Sequence, residues 1–536
     1  VLFRTADGGG SWQVISPDLT REDPGAPPNL DPPTIADSGK EKRRGVIYSL
    51  GPSYVQKGEI WAGTDDGLIQ LTQDEGKTWS NVTPPEITAW SKVTHIEASH
   101  FEAGTAYAAV DRHRLDDLHA YLYRTRDFGK TWQMVSNGIP DGYFLNCARE
   151  DPVRKGLLYA CTEKGVFVSF DDGARWQPLQ LNLPTTSVRD LVIHGDDLVI
   201  ATHGRSFWIL DDVTPLRQMT AEVAQAAAWL FEPATAYRVR PGSDEGTPVP
   251  LDEPQAANPP DGAVLDYYLK ETRSTPLQLE IFDLSGNLVR RFASDDILKT
   301  TNPDEMEFPM YWVHDPQPIS ATAGMHRFVW DLQYALPADV KRSFYGPSAP
   351  HALPGRYKAK LTVNGTSYEQ PLVVKMDPRV KTSPVDLQKM FSAESLLAKN
   401  VAELSAAMRQ AKDMQATIAV RSKGAAGKAR VIEALADLDR KTRELVGAEK
   451  DADFGIFGLA VPASGDKVTL RQALWASTGL LSVVGGSDAA PTADAALAVE
   501  KWDAATKNFL ELWKTFWRED RQSANDVLQK AKLKPL

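Results

Sequence analysis

The stretch TQDEGKTW, from Thr72 to Trp79, returns in three other places in this chain and decides its fold. All four copies follow the pattern Ser/Thr-x-Asp-x-Gly-x-x-Trp, and we call each copy a turn box. The others are TADGGGSW (Thr5–Trp12), TRDFGKTW (Thr125–Trp132) and SFDDGARW (Ser169–Trp176). Successive box tryptophans lie 67, 53 and 44 residues apart. This spacing leaves room for about four strands, so the repeat predicts the blades of a β-propeller.

The chemistry of the turn box indicates a structural role. An Asp side chain accepts backbone N–H groups at a tight turn, and Gly supplies a positive φ. A Trp ring buries a large apolar surface between neighbouring blades. We therefore expect structural rather than catalytic roles for the Asp and the Trp of each box. These residues are Asp7, Trp12, Asp74, Trp79, Asp127, Trp132, Asp171 and Trp176.

Strands are predicted around each box. Apolar alternation places four strands in each of three blades over residues 45–179, and three strands of another blade over residues 187–210. Val1–Thr5 and Ser11–Ile15 are typical of the last two strands of a further blade. We expect the other blades of this propeller to lie upstream of residue 1.

Two cysteines exclude a disulfide-dense scaffold and the four-cysteine zinc sites. A hairpin centred near residues 152–154 would place Cys147 opposite about residue 160, one position away from Cys161. Because a one-residue offset turns side chains to opposite faces of a sheet, two free buried cysteines are favoured over a disulfide.

The rest of the chain predicts two further domains. After the propeller blades (1–215), a segment rich in Pro, Gly and acidic residues predicts a linker (216–260). Alternation and hairpin turns then predict a β-sandwich with an immunoglobulin-like layout (261–377). Helical periodicity that begins at a Ser383 N-cap predicts an α-helical bundle (383–536). The predicted fold class is therefore multidomain, with a partial β-propeller, a β-sandwich and a C-terminal bundle.

Composition narrows the classes of partner. The 536 residues are 42% hydrophobic and 24% charged, which is ordinary for a globular protein. A net charge of −11 without a basic block argues against nucleic-acid binding. No apolar run approaches the roughly 20 residues of a membrane-spanning helix, so no membrane insertion is expected.

Several further runs carry a resemblance to a known family. They are IWAGTDDGL (Ile60–Leu68), ATHGRSFWILDD (Ala201–Asp212), NPPDGA (Asn258–Ala263) and KMDPRV (Lys375–Val380). Together with the boxes, they resemble the C-terminal half of bacterial sortilin-type proteins with BNR (Asp-box) repeats, which are often labelled "glycosyl hydrolase". The resemblance implies a large propeller, export by a signal peptide and an extracytoplasmic location, periplasmic or secreted.

Candidate site residues cluster where the 112–119 stretch interrupts a predicted blade between its second and third strands. Glycosidases need a pair of carboxylates, for which Asp111, Asp116 and Asp117 are the candidates. The candidate binding residues are Arg112, Arg114, His203 and Arg205, with Arg149 as a further arginine. Asp65 and Asp66 are better explained as a β-turn pair before Gly67.

Three functions remain open from the sequence. We favour a secreted protein that binds a peptide or carbohydrate ligand on the propeller face or in its channel. The alternatives are a glycoside hydrolase of the Asp-box type, and a structural or assembly component with a protein partner on the helical bundle. No metal site is predicted because the histidines are scattered, and no cofactor is predicted because a phosphate-binding Gly loop is absent from the sequence.

Overall fold

The computed structural model describes residues 1–26, 45–240, 252, 256, 258–298, 302–306, 309–310, 315, 317–337, 349–448 and 467–536. The chain divides into two compact units, Val1–Gln225 and Ala226–Leu536. The first unit contains the turn boxes, and the second contains the remaining strands and the long helices.

The first unit is a series of antiparallel sheets whose strands follow one another in the chain. A two-stranded sheet of β1 (Phe3–Arg4) and β2 (Gln13–Val14) comes first. The first blade has β3 (Ile47–Pro52), β4 (Ile60–Thr64), β5 (Ile69–Thr72) and β6 (Ser80–Asn81); the second has β7 (Lys92–Ala98), β8 (Ala106–Asp111), β9 (Tyr121–Thr125) and β10 (Gln133–Met134); the third has β11 (Leu145–Glu150), β12 (Leu158–Thr162), β13 (Gly165–Ser169) and β14 (Gln177–Pro178); and the fourth has β15 (Val188–His194), β16 (Asp197–Thr202) and β17 (Phe207–Leu210). The predicted propeller-like arrangement is confirmed at this level.

Every turn box is closed by the same hydrogen bonds. In the second box the Thr72 hydroxyl donates to Asp74 Oδ1 over 2.9 Å and accepts the Gly76 N–H over 2.9 Å. The Asp74 carboxylate then accepts the backbone N–H of Thr78 over 2.9 Å and its hydroxyl over 2.7 Å. The other boxes repeat this set. In the fourth box the last position is Arg175, which has no hydroxyl, so only its backbone N–H donates to Asp171.

The indole of a box tryptophan connects its blade to the preceding sheet. In each case the ring N–H donates to a backbone carbonyl that lies three residues after the tryptophan of the preceding box. The pairs are Trp79 with Ile15 over 2.9 Å, Trp132 with Val82 over 2.8 Å and Trp176 with Val135 over 2.7 Å. Trp12, in the first box, is 62% exposed. The structural roles expected for the box residues stay a prediction, which the contacts of Trp79, Trp132 and Trp176 support.

Consecutive blades share apolar cores. Ile69 and Leu71 of the first blade pack with Val93 and Ile96 of the second. Equivalent cores lie between the second and third blades and between the third and fourth. Each blade is thus stabilised by burial against its neighbours, as expected for repeated sheets that cannot cover both faces alone.

The register predicted for the two cysteines is wrong. Strand β11 has a bulge between Leu145 and Cys147, and Cys147 is paired directly with Cys161 on β12. The pairing is continuous from Cys147 with Cys161 to Glu150 with Leu158, so the turn between the strands sets this register and brings both side chains to the same face. The bulge lies on the other side of Cys147 from that turn. Both cysteines are buried and free, as predicted.

The second unit contains two sheets around one core. Its strands are β18 (Ala228–Leu230), β19 (Ala236–Arg238), β20 (Ala263–Leu269), β21 (Gln278–Asp283), β22 (Leu288–Ala293), β23 (Gly324–Trp330), β24 (Gly355–Val363) and β25 (Thr366–Met376). One sheet has the order β18-β20-β23, and the other has the order β19-β25-β24-β21-β22, with β19 parallel to β25. Leu265 and Trp330 from the first sheet meet Ile281 and Leu361 from the second. The immunoglobulin-like layout stays a prediction.

The predicted linker 216–260 contains folded elements at its start and in its middle. Helices α1 (Thr214–Gln218) and α2 (Ala221–Gln225) belong to the first unit, where Arg217 pairs with the buried carboxylate of Asp151 over 3.0 Å. Strands β18 and β19 complete the two sheets of the second unit. These short strands escaped prediction because their partners are distant in sequence. The Pro/Gly-rich part, 241–260, lies mostly outside the described residues.

The C-terminal helices are α3 (Pro384–Gly424), α4 (Ala429–Val446), α5 (Leu470–Val484) and α6 (Ala493–Lys530). The side chain of Ser383 caps α3 by accepting the Asp386 N–H, as predicted. Helix α6 extends to Lys530, because Ala524 and Leu528 continue its buried face. The predicted C-terminal helical region is confirmed. The domain division 1–215, 261–377 and 383–536 stays a prediction.

Polar contacts join sheets to helices within the second unit. The fully buried carboxylate of Glu394 on α3 accepts the His351 backbone N–H over 3.2 Å and lies 3.1 Å from its Nδ1. Arg238 on β19 forms a buried ion pair with Asp488, which precedes α6. Because removing one member leaves an uncompensated buried group, these contacts restrict how the helices pack on the sheets.

The tryptophan contacts predict unequal costs for the same substitution in different boxes. Trp176→Ala should reduce the free energy of unfolding of the third blade by about 3–5 kcal/mol, because a buried ring is lost. Trp176→Phe should cost about 1 kcal/mol through the lost indole N–H. Trp12→Ala, at an exposed ring, is the control. Hydrogen exchange of residues 145–178 in urea measures the effect, and an equal loss in both alanine variants would contradict it.

The box hydrogen bonds predict a pH dependence. Bonds from the backbone N–H and then the hydroxyl of Thr78 lower the pKa of Asp74 to about 2. Because the folded-state pKa is depressed, this contribution to stability is present above the unfolded pKa and is lost as the pH falls toward 2. Thr78→Val should raise the Asp74 pKa toward 3.8, whereas Thr88→Val should not. Carboxyl carbon NMR titration measures it, and an unchanged pKa in Thr78→Val would refute the assignment.

Candidate functional site

The candidate residues lie on one end of the blades. Each blade is an antiparallel meander, so the connection between its second and third strands lies at the end opposite its turn box. These connections are 65–68, 112–120, 163–164 and 203–206, and we call the surface that they form the loop end. The Arg114 and Asp65 side chains approach to 3.9 Å, which shows that the first two blades present this end to the same side.

The longest connection begins with a tightly held Asp–His pair. The Asp111 carboxylate, at the end of β8, is buried and accepts the backbone N–H of His113 over 2.8 Å. Its other oxygen lies 2.6 Å from His113 Nδ1. A short 3-10 turn, His113–Leu115, follows and ends at Asp116, which has a φ of 56°. Asp111 therefore anchors the start of the loop.

A second Asp–His pair anchors the end of the same loop. The Asp117 carboxylate accepts the backbone N–H of His119 over 3.2 Å and lies 2.8 Å from His119 Nδ1. It also accepts the Tyr121 hydroxyl over 2.8 Å and pairs with Arg112 Nε over 3.3 Å. The pattern Asp-x-His thus occurs twice within nine residues, and each time it builds the same turn.

These contacts shift the pKa values of Asp117 and His119. Burial acts to raise the pKa of Asp117, but hydrogen bonds from His119 and Tyr121 outweigh it and hold the pKa below its ordinary value. The same bond to Asp117 raises the pKa of His119, and the charge of Asp141 raises it further. The loop therefore favours a carboxylate at 117 and a cationic ring at 119.

Aromatic rings support the loop from beneath. The His113 ring stacks on Phe144, with 5.2 Å between ring centroids. The Arg112 guanidinium lies over the Tyr121 ring at 5.3 Å, and Tyr121 stacks on Tyr123. Such contacts hold flat side chains in fixed orientations.

The Asp65-Asp66 pair is structural, as the sequence indicated. Asp66 is fully buried, and its carboxylate accepts the Arg21 backbone N–H over 2.8 Å and the Thr64 hydroxyl over 2.5 Å. Gly67 follows with a φ of 85°, and a Cβ there would meet the Thr88 carbonyl at 2.4 Å. The pair therefore forms the β-turn of the first blade.

His203 and Arg205 lie in the corresponding turn of the fourth blade. Both are exposed. The Arg205 N–H donates to the Thr202 hydroxyl over 3.1 Å, and the His203 N–H donates to the Ser187 carbonyl over 2.8 Å. The structure thus fixes the backbone of this turn and leaves both side chains facing solvent. No contact joins them to the loop of the second blade among the described residues.

Sequence reasoning missed a bulge shared by the first strand of every blade. The inserted residues are Tyr48, Thr94, Asn146 and Arg189. Two of them reach the next blade: the Thr94 hydroxyl donates to the Leu145 carbonyl over 3.4 Å, and the Asn146 amide donates to the Val188 carbonyl over 2.9 Å. The only signal in the sequence is a polar residue within each strand.

The same strands hold a charged bridge that involves Arg149. Its guanidinium lies 3.1 Å from Glu97 of the second blade and 3.1 Å from Asp190 of the fourth. Burial and, secondly, the charge of Arg149 lower the pKa of the nearby His95 to about 4, so this ring is neutral at pH 7. Arg149 therefore crosslinks three blades and is not brought to the loop end.

The parts of the chain that the structure describes contain neither a group of metal-ligating side chains nor a helix suited to span a membrane. There, no group of three or more His, Cys, Asp or Glu side chains is arranged to hold a metal ion. None of the helices within those ranges is both long and apolar enough to cross a membrane.

Comparisons with known proteins were made on the whole chain. No family model matches it, and no curated protein matches it. Solved structures match in part. YCF48 bound to D1 peptide has 19% sequence identity and a TM-score of 0.24, and the match covers 32% of this chain and 52% of that one. YCF48 from Cyanidioschyzon merolae has 14% identity and a TM-score of 0.25, with 32% of this chain and 54% of that one covered. The GH74 xyloglucanase from Xanthomonas campestris has 16% identity and a TM-score of 0.26, with 61% of this chain and 45% of that one covered. This chain spans about half the length of the two YCF48 structures. These TM-scores are low, and the fold assignment depends on strand pairing within the chain.

The paired Asp117 and His119 predict a measurable coupling. Asp117→Asn should lower the pKa of His119, because it removes the carboxylate that stabilises the charged ring. Asp116→Asn is the matched control, since Asp116 makes no bond to His119 in the described structure. Proton–carbon NMR titration of labelled histidines measures both. A His119 pKa that falls equally in the two variants would show that the pair does not form in solution.

Proposed function

We propose that the loop end of the blades is a binding surface for a peptide or carbohydrate chain. The observation that carries this proposal is the double anchoring of the 112–120 loop by Asp111 and Asp117. A loop that is already held in one conformation loses little conformational entropy when a ligand binds. Anchored polar loops on a rigid β scaffold are typical of binding surfaces.

The anchored loop presents hydrogen-bonding groups to solvent. The side chains of His113, Arg114 and His119 are 45%, 36% and 60% exposed. With Nδ1 of His113 held by Asp111, its opposite ring nitrogen is directed away from that anchor. His119 Nε2 lies 3.5 Å from the exposed Asp141 carboxylate. Arg205 adds an exposed guanidinium on another blade. These groups suit the carbonyls and carboxylates of a peptide, or the hydroxyls and carboxylates of a sugar chain.

The protonation state of the loop favours binding over hydrolysis. A glycosidase needs one carboxyl group with a raised pKa to protonate the leaving group. Asp117 has the opposite shift, and the buried Asp111 carboxylate is occupied by His113. Asp116 is exposed and ends a 3-10 turn. We therefore assign Asp111 and Asp117 as positioning residues of a binding loop, and Arg112 as the cation that supports it.

The resemblance stated above extends the proposal in two ways. It supports an extracytoplasmic location, and it supports a chain of propeller blades, a sandwich and a bundle that act as separate domains. A protein partner on the helical bundle remains a further part of this proposal.

Peptide and glycan arrays, followed by titration of the strongest ligand, test the proposed function. Arg114→Ala and Arg205→Ala should each weaken binding about tenfold, which corresponds to about 1.4 kcal/mol. Arg175→Ala, an exposed arginine in a turn box at the opposite end, is the control and should bind normally. The ligand should be recovered intact.

Three outcomes would contradict the proposal. Equal weakening by Arg175→Ala, or no array ligand at all, would remove the loop end as the binding surface. Cleavage of an array glycan by the wild type, lost in Asp117→Asn, would establish the hydrolase alternative instead.

A further inference from the structure

We propose that Cys147 and Cys161 form a cross-strand disulfide when the chain folds under oxidising conditions. They are the two cysteines of these 536 residues, so they are each other's one possible partner within this sequence. The structure holds them as free thiols, directly opposite each other on β11 and β12.

The turn between β11 and β12 creates this juxtaposition. The pairing runs without interruption from Glu150 with Leu158 to Cys147 with Cys161, which places both thiols on the same face of the sheet. Directly opposed residues of antiparallel strands have Cα atoms about 4.5–5.5 Å apart, which is within the range that a disulfide bridges. The bond therefore requires no change of strand pairing.

The surroundings of the two thiols suit a structural bond. Cys147 is 1% exposed and Cys161 is 0% exposed, in the apolar core between the third and fourth blades. Burial raises the pKa of the Cys161 thiol, and the adjacent Cys147 thiol raises it further. Because the thiolate is the reactive form, the folded pair reacts slowly. We therefore place bond formation in the stage before the fourth blade covers this core.

The reaction balances with a small-molecule disulfide such as glutathione disulfide as oxidant. One cysteine thiolate attacks a sulfur of the oxidant, which forms a mixed disulfide and releases one glutathione. The second cysteine attacks the mixed disulfide, forms the Cys147–Cys161 bond and releases the second glutathione. The two protein thiols are oxidised, and their protons and electrons leave with the two glutathione molecules.

The bond would stabilise the part of the first unit that connects three blades. It closes the β11–β12 hairpin and so excludes unfolded conformations in which these strands separate. Arg149, which bridges to Glu97 and Asp190, lies two residues from Cys147 on β11. The consequence is a blade whose unfolding temperature depends on redox conditions.

The experiment compares the full chain refolded from guanidinium in glutathione redox buffer or in dithiothreitol. Each sample is then unfolded in guanidinium at neutral pH with excess N-ethylmaleimide already present, and is weighed by mass spectrometry. The oxidised sample should take up no alkyl group, should be lighter than the reduced protein by two hydrogen atoms, and should unfold several degrees higher. A second sample, kept native in the redox buffer with sub-denaturing urea, gives the same readout without refolding.

Variants at the two positions make the outcome decisive. Cys147→Ser and Cys161→Ser should abolish the redox dependence of the unfolding temperature, and the double variant should unfold identically in both buffers. Two alkyl groups on the oxidised wild type, in both the refolded and the urea-treated samples, would overturn the proposal. Glutathione adducts without an internal bond would overturn it as well.

Discussion

The indole N–H of a box tryptophan donates to a backbone carbonyl of the preceding sheet, and the order of the first unit depends on this contact. The hydrogen bonds of the turn box hold the tryptophan at a constant place in its blade. The acceptor lies at a constant place in the neighbour, three residues beyond the preceding box tryptophan. Successive blades are therefore added with the same offset. Burial of the ring supplies the energy, and the N–H bond supplies the register.

This constant offset has a consequence for function. Because the boxes all lie at one end of the blades, the connections between second and third strands all lie at the other. The longest of these, in the second blade, is rigid because two carboxylates are used as anchors within it. In the function that we propose, the acidic residues that a catalytic interpretation would assign to proton transfer act as supports of this loop. The exposed imidazoles and guanidinium groups become the chemically available part of the surface.

The second unit is organised by a different constraint, because its sheets and helices come from opposite ends of its sequence. Short strands β18 and β19 complete sheets whose other members lie up to about 140 residues later. Buried polar pairs, His351 with Glu394 and Arg238 with Asp488, fix the sheets against the helices. Apolar packing alone would permit several arrangements, whereas a buried charge needs its own partner.

The sequence by itself determined the features that depend on neighbouring residues. These are the turn boxes and the Ser383 cap. Only the tertiary structure decided which distant residues meet. The pairing of β11 with β12 places Cys147 opposite Cys161, and the packing of neighbouring blades brings Arg149 to Glu97 and Asp190. Local hydrogen bonds and backbone preferences are encoded within a few residues, whereas register and side-chain partners are set by packing between segments that the sequence keeps apart.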